Sequence, residues 1–131
     1  MNRKIEDLTP ETQEKYFLFK KKMAEAGIDY IVTCTLRTKE EQFELYAQGR
    51  SKSGKIVTWT FNSRHLKGTA FDIAIMVNGK ILWNPDLDVD QDGVPEYTEA
   101  GLIGESVGLK WGGRFPDNKK DAPHFELNER T

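Results

Sequence analysis

The sequence is poor in cysteine and histidine, has no surplus of either charge and contains no long apolar run. Its single cysteine, Cys34, excludes an internal disulfide and any zinc site built from several cysteines. Lysine and arginine number 19 against 21 aspartates and glutamates, a formal net charge of -2. This balance argues against a dedicated nucleic-acid binder, because phosphate recognition needs a basic surplus or stripe. The longest apolar run, Ile73 to Val77, is far too short to span a bilayer.

The N-terminal segment from Met1 to Asp7 lacks the apolar h-region of a secretory signal. We therefore expect a protein that stays in the cytoplasm in which it is made and does not insert stably into a membrane. Of its 131 residues, 37% are hydrophobic, enough for the modest core of one domain over residues 1–131. We expect this domain to be a monomer.

Local patterns predict an α+β fold, a single small domain with a central antiparallel sheet flanked by helices. The clearest signals are a Thr9 cap, a capping box from Thr38 to Glu41 and the hairpin dipeptide Asn78-Gly79. Helices are predicted over 10–26, 39–48 and 99–107, and strands over 30–35, 70–77, 80–83, 109–111 and 124–127.

The two histidines of the chain, His65 and His124, both lie near carboxylates. Asp72 falls inside the predicted strand 70–77, where an ionised carboxylate is costly unless a cation or strong donors compensate it. Gly68 permits a tight turn that folds His65 back over Asp72. Pro123 stiffens the corner that carries Asp121 and His124.

Two imidazoles and one carboxylate form a recognised catalytic zinc set with a fourth position left for water. We therefore predict His65, Asp72 and His124 as zinc ligands, with Asp121 as the general base that takes a proton from that water. In the alternative interpretation both histidines are ordinary packed or surface residues and Asp72 caps a turn.

The spacing Ser-x-His-x6-Asp, followed near the C-terminus by Asp-x-x-His, resembles zinc peptidases. This family includes D-alanyl-D-alanine carboxypeptidases, the dipeptidases of vancomycin resistance and phage L-alanyl-D-glutamate endolysins. Every fixed position of the SxHxxGxAxD string is met by residues 63–72. Residues 35–42 resemble the family's segment after its first strand, and residues 109–113 resemble the segment that leads to its last histidine. The base is aspartate where some relatives have glutamate, which shortens its reach.

The resemblance implies roles for three further residues. Arg37 matches the arginine that polarises the scissile carbonyl and steadies the oxyanion, and Ser63 and Gln42 would line the substrate-binding site. In the alternative interpretation Arg37 forms a salt bridge at a helix start with Glu40 or Glu41. By the same resemblance, the substrate is the peptidoglycan stem peptide.

A second metal signal lies at residues 88–99, which match the calcium-loop pattern D-x-D-x-D-G-x5-E without a gap. The segment before it does not read as a helix, so we expect a calcium loop with only its exit helix. The predicted ligands are Asp88, Asp90, Asp92, the Val94 carbonyl and both oxygens of Glu99. In the alternative interpretation this is a solvated acidic loop.

Within this family, a compact domain without an export signal resembles the phage endolysins. The resemblance therefore implies a zinc peptidase that cuts the L-alanyl-D-glutamate bond and acts on the host wall after release. The alternatives are a D-alanyl-D-alanine carboxypeptidase or dipeptidase, and a noncatalytic metal-binding wall module. Cys34 is predicted to be a packed strand thiol rather than a nucleophile. Trp59 and Phe61 are expected either to flank the substrate groove or to pack in the core.

Overall fold

The computed structural model describes residues 1–58 and 63–128, and the predicted α+β class is confirmed within them. Trp59 and Phe61 lie outside these described residues. No helix in the described part of the chain is long and apolar enough to cross a bilayer. The elements are helices α1 (Pro10–Glu25), α2 (Lys39–Ala47) and α3 (Glu96–Ser106), and strands β1 (Asp29–Cys34), β2 (Ala70–Val77), β3 (Lys80–Ile81), β4 (Leu109–Trp111) and β5 (His124–Leu127).

One antiparallel sheet, in the order β1-β2-β5-β4, is built around the long strand β2. β1 lies along one edge of β2, and β5 and β3 share the other edge. Asn78 and Gly79 form the predicted hairpin turn with φ of 52° and 76°, the left-handed pair that a tight β-hairpin of this kind requires. β3 ends at Ile81, earlier than predicted, and the Trp83 side chain beyond it is 81% exposed.

Aromatic side chains form the centre of the core between α1 and the sheet. Phe71 and Phe125 are cross-strand partners on β2 and β5, and their rings stack with centroids 5.5 Å apart. Phe19 of α1 packs on Phe125 at 4.9 Å. Each fully buried ring of this kind stabilises the fold by about 1.5–3 kcal/mol. This packing fixes β2 and β5 side by side, with their polar residues next to one another.

Helix α3 packs closely against the sheet because two of its residues are glycines. A Cβ at Gly101 would lie 2.2 Å from the Trp111 ring, and one at Gly104 would lie 2.5 Å from the Phe125 ring. The helix begins at Glu96, three residues before its predicted start at Glu99. On the core side, α3 therefore packs against Trp111 of β4 and Phe125 of β5.

Candidate functional site

Polar side chains from three neighbouring strands meet near the start of β2. Asp72 is paired in register with His124 of β5 on one side and with Cys34 of β1 on the other. A register shift between Val32 and Cys34 interrupts β1. The sheet therefore places the predicted ligands Asp72 and His124 directly opposite each other.

His65 reaches the same point from a short 3-10 turn, Arg64–Lys67. Ser63 caps this turn, because its hydroxyl accepts the His65 backbone N–H at 3.2 Å. Gly68 ends the turn with φ of 69°, a left-handed conformation that glycine adopts at little cost. The turn therefore carries His65 back over Asp72, as its spacing predicted, and Ser63 acts on the site by holding the His65 backbone.

One oxygen of Asp72 joins the two imidazoles. Its Oδ1 lies 3.1 Å from Nε2 of His65 and 3.0 Å from Nδ1 of His124. The remaining ring nitrogen of His65, Nδ1, donates to the Thr35 carbonyl at 2.8 Å, which leaves Nε2 as the nitrogen that faces Asp72. The three predicted zinc ligands thus converge, and each histidine presents one defined nitrogen.

Glu126 orients His124 from behind, a contact that the sequence analysis missed. Its Oε1 accepts from Nε2 of His124 at 2.9 Å, so Nδ1 is the nitrogen that faces Asp72. Arg64 stands 3.6 Å from the other carboxylate oxygen of Glu126. Two-residue alternation along β5 places Glu126 on the same face as His124, and this was the signal that could have identified it.

The electrostatics of the site favour charge on all three groups. Although burial opposes protonation, the hydrogen bond to Asp72 raises the pKa of His65 to about 10. Burial also opposes protonation of His124, but its hydrogen bonds to Asp72 and Glu126 raise the pKa of this imidazole to about 9. Despite burial, the same two imidazoles hold the pKa of Asp72 well below its usual range.

The donor set fits a divalent metal ion such as zinc. Ligand atoms of Asp72, Asp121 and His124 lie within 4.8 Å of one another, and so do those of Cys34, His65 and Asp72. Asp72 is common to both groups. Two imidazole nitrogens and a carboxylate are ligands that zinc favours, and one divalent ion would replace the two imidazolium protons. The buried thiol of Cys34 confirms the packed cysteine, yet its position beside this donor set was not predicted.

Arg37 is held at the edge of the site with only 9% of its side chain exposed. One terminal nitrogen donates to the side-chain oxygen Oε1 of Gln42 at 2.7 Å, and the other lies 3.4 Å from the Cys34 sulfur and 3.9 Å from Asp72 Oδ2. The Arg37 backbone N–H donates to the His65 carbonyl. Gln42 is itself buried, and its hydrogen bond to Arg37 connects it to the site.

Asp121 stands at the open side of the site on the turn that leads into β5. Its backbone N–H donates to the Gly112 carbonyl, and its carbonyl accepts the His124 N–H, both at 3.0 Å. A Cβ at Gly112 would lie 2.3 Å from the Asp121 carbonyl oxygen, so the glycine permits this close approach. Desolvation by the surrounding protein and the charge of Asp72 raise the pKa of Asp121, which suits a proton acceptor.

The acidic loop between β3 and α3 folds around its own carboxylates. Gly93, the sixth residue of the pattern, has φ of 94°, and its N–H donates to Asp88 Oδ2 at 2.8 Å. Ligand atoms of Asp90, Asp92 and Glu99 lie within 4.8 Å of one another. Oδ1 of Asp88 is buried without a hydrogen-bond partner. As predicted, an exit helix comes next, and because α3 begins at Glu96, Glu99 lies in its first turn.

Carboxylates lie close together in the loop, and this raises the proton affinity of Asp90 and Glu99. The neighbouring Asp92 carboxylate raises the pKa of Glu99 to about 7. Desolvation and the side chains of Asp88 and Asp92 raise the pKa of Asp90 to about 6. Glu96, which is not among the predicted ligands, is buried and accepts the backbone N–H groups of Val89 and Asp90.

The chain is similar to peptidases of known type. The family described as D-alanyl-D-alanine carboxypeptidase matches residues 57–127, more than half of the chain. The peptidoglycan L-alanyl-D-glutamate endopeptidase CwlK of Bacillus subtilis is 37% identical over 124 residues, which cover 92% of this chain and 74% of that protein.

Two solved structures share the fold. The L-Ala D-Glu endopeptidase ChiX of Serratia marcescens matches with a TM-score of 0.71 and 23% identity, over 94% of this chain and 82% of that one. VanYB in complex with D-alanine-D-alanine matches with a TM-score of 0.61 and 18% identity, over 93% of this chain and 72% of that one. At these identities the two structures establish the fold alone. The family match and the CwlK relationship together show that this chain belongs to the D-alanyl-D-alanine carboxypeptidase family of peptidases.

Proposed function

We propose that the chain is a zinc-dependent peptidase that hydrolyses the L-alanyl-D-glutamate bond of the peptidoglycan stem peptide. The observation that carries this proposal is the 37% identity to an endopeptidase of that specificity over 92% of the chain. The convergence of His65, Asp72 and His124, with Asp121 at the open side, supports the metallopeptidase chemistry.

His65 through Nε2, His124 through Nδ1 and Asp72 through its carboxylate would hold the zinc ion. The chemistry that zinc supplies when bound to such ligands is a lowered pKa for coordinated water and polarisation of the scissile carbonyl. Thr35 and Glu126 keep a proton on the opposite nitrogen of each ring, so that loss of the second proton leaves the lone pair on the nitrogen that faces the site.

Asp121 moves the proton in this proposal. Its raised pKa lets it accept a proton from the attacking water and return that proton to the amine that leaves when the C–N bond breaks. Arg37 places a fixed positive charge where negative charge develops on the carbonyl oxygen. A donor of this kind contributes about 3–4 kcal/mol of transition-state stabilisation in enzymes where one has been removed.

Digestion of purified peptidoglycan by the zinc-loaded protein tests the proposal. The expected product is a new free amino group on D-glutamate. The matched control is Asp121→Ala, which should keep its zinc by elemental analysis and lose hydrolysis. Wall material left intact by the zinc-loaded protein would overturn the proposed peptidase function.

The same digestion separates the alternatives. Release of free D-alanine would indicate a D-alanyl-D-alanine carboxypeptidase, the activity for which the matching family is described. Binding to the wall without hydrolysis would indicate a noncatalytic module. In either case the L-alanyl-D-glutamate specificity would be wrong.

Calcium is proposed as the second ion, bound by the loop at residues 88–99. The supporting observations are the unbroken ligand pattern, the left-handed Gly93 and the unpartnered buried oxygen of Asp88. Calcium binding would neutralise the crowded carboxylates and order the segment between β3 and α3. Activity that stays unchanged in a calcium-free, zinc-replete assay would exclude a regulatory role for this loop.

The endolysin role stays a prediction. In this role the enzyme remains in the host cytoplasm and reaches the wall only after the membrane is permeabilised. Expression in a bacterial host tests it, with lysis followed by turbidity before and after a pore-forming agent is added. Lysis that begins only after permeabilisation supports the role, and intact cells after permeabilisation contradict it.

A further inference from the structure

A cavity of about 500 Å³ adjoins the candidate zinc site. Asp72 and Asp121 line it on the side of the site, and Ile81, Trp83 and Pro85 give it an apolar wall. Among the described residues that line the cavity, Lys120 carries the one positive charge. The cavity therefore combines an apolar wall with a single cation next to the proposed proton carrier.

Lys120 forms a weak, exposed ion pair with Asp117 in the structure. Its Nζ lies 3.4 Å from Asp117 Oδ1, and the Asp117 side chain is fully exposed. An exposed pair of this kind contributes little to stability because water screens it. Lys120 can therefore exchange this contact for a carboxylate held in the cavity, where a charge-assisted hydrogen bond is stronger.

Trp83 gives the same cavity a large apolar surface that the fold does not use. Its side chain is 81% exposed although it lines the cavity beside Pro85. Indole rings combine a large apolar contact area with little conformational freedom, and for this reason they recur in binding surfaces. The pairing of Trp83 with Lys120 fits a ligand group that is apolar along its chain and anionic at one end.

We propose that this cavity binds the residue that follows the scissile bond, and that Lys120 pairs with a carboxylate on that residue. This inference rests on the proposed function. Asp121 returns its proton to the leaving amine, so the residue that carries this amine must lie beside Asp121, in the cavity that Asp121 shares with Lys120.

In the L-alanyl-D-glutamate substrate the residue in question is D-glutamate. One of its two carboxyl groups continues the stem peptide through the γ-amide link, and the other, the α-carboxyl, is either free or amidated. The free form supplies the anion that Lys120 would bind, and the amidated form does not. Lys120 thus makes the enzyme selective for stem peptides with a free α-carboxylate at this position.

Two peptides that differ only in this group test the inference: L-Ala-γ-D-Glu-L-Lys and its α-amide. For the zinc-loaded wild-type protein, we expect kcat/KM to be about tenfold higher for the free acid, the effect of one charge-assisted hydrogen bond. In Lys120→Met the ratio of the two values should fall to near one, in Lys120→Arg it should persist, and in Lys120→Glu it should invert. The matched control is Lys119→Met, an exposed neighbour that does not line the cavity and should keep the wild-type ratio.

Trp83→Ala provides a second readout that does not depend on charge. It should raise KM for both peptides equally, because the apolar contact is the same for acid and amide. Equal wild-type rates for the two peptides would overturn the inference while leaving the proposed function intact. A preference that survives in Lys120→Met would also overturn it. If neither peptide is hydrolysed, the proposed function itself fails and the inference fails with it.

Discussion

His124 and Glu126 face the same side of β5, and Nε2 of His124 lies 2.9 Å from Oε1 of Glu126. Both side chains are buried, and the bond to His124 lowers the pKa of Glu126 even though burial opposes this. A negative charge behind the ring keeps the proton on Nε2, so Nδ1 is the nitrogen available to the proposed metal ion. β5 thus carries the proposed ligand His124 and its orienting partner Glu126 two positions apart.

Replacing Glu126 tests this arrangement. Glu126→Leu should weaken zinc binding by about 10–100-fold, because the orienting acceptor is lost, whereas Glu126→Gln should lose less because the amide oxygen still accepts from Nε2. Competition with a chromophoric chelator measures the affinity. The matched control, the exposed Glu25→Gln, should bind zinc as the wild type does. Unchanged affinity in Glu126→Leu would contradict the orienting role.

Local signals predicted most of the elements around the site. The capping box at Thr38 and Glu41, the Thr9 cap and the Asn78-Gly79 turn all form as expected, because each depends on residues close in sequence. The metal-ligand spacing likewise identified the segments that meet, and the structure brings them together.

Contacts that depend on strand register could not be predicted from the sequence. Cys34 joins the site because the register of β1 shifts after Val32 and pairs Cys34 with Asp72. No local pattern encodes such an irregularity. Arg64 approaches Glu126 only once the 3-10 turn and β5 are packed together. The early end of β3, which leaves Trp83 exposed at the cavity, is likewise a property of the whole sheet.

Replacing Arg37 should lower kcat more than replacing Gln42. Arg37→Lys removes the planar fork and should lower kcat about 10²–10³-fold if Arg37 stabilises the developing oxyanion. Gln42→Leu leaves the guanidinium in place without its 2.7 Å partner and should cost less. Both variants should bind zinc normally, which chelator competition checks. If kcat stays unchanged and only KM rises, Arg37 binds substrate without stabilising the transition state.

Metal binding should compete with protons at the two histidines. Their pKa values in the metal-free protein are about 10 and about 9, above the ordinary value of roughly 6.5, so zinc must displace two protons at neutral pH. Zinc affinity should therefore rise with pH, by up to about a hundredfold per pH unit, between pH 6.5 and 9. Titrations at several pH values measure this dependence, and an affinity that does not change with pH would contradict it.

The same shifts predict how the metal-free fold responds to pH. A raised histidine pKa in the folded state contributes stability that is fully present below about pH 6.5. This contribution is lost as the pH rises through the folded values of about 9 and about 10. Denaturant unfolding of the apo protein should therefore show falling stability above neutral pH. Zinc should offset the loss, since the ion replaces the protons that leave.

Calcium should stabilise the acidic loop, and the effect should depend on Glu99. The carboxylates of Asp92 and Glu99 are close enough to raise the pKa of Glu99 to about 7, so without a cation the folded loop holds a proton that the unfolded chain releases near pH 4.5. The apo contribution of Glu99 therefore becomes less favourable as the pH rises from 4.5 to 7. Calcium removes this penalty, so the increase in Tm with calcium should be larger at pH 7.5 than at pH 5.5.

The variant Glu99→Gln tests whether Glu99 is responsible for the calcium-induced increase in Tm. The variant removes one charge from the cluster, so the calcium-free protein should be at least as stable as the wild type at pH 7.5. It should also lose most of the calcium response, because the amide cannot supply two carboxylate oxygens. The exposed Glu25→Gln serves again as the control and should respond like the wild type. Differential scanning fluorimetry of the zinc-loaded proteins, with and without calcium, measures these shifts. If calcium raises the Tm of Glu99→Gln and of the wild type equally, the ion binds elsewhere or acts by general screening of an acidic surface. Either result would contradict the proposed calcium loop.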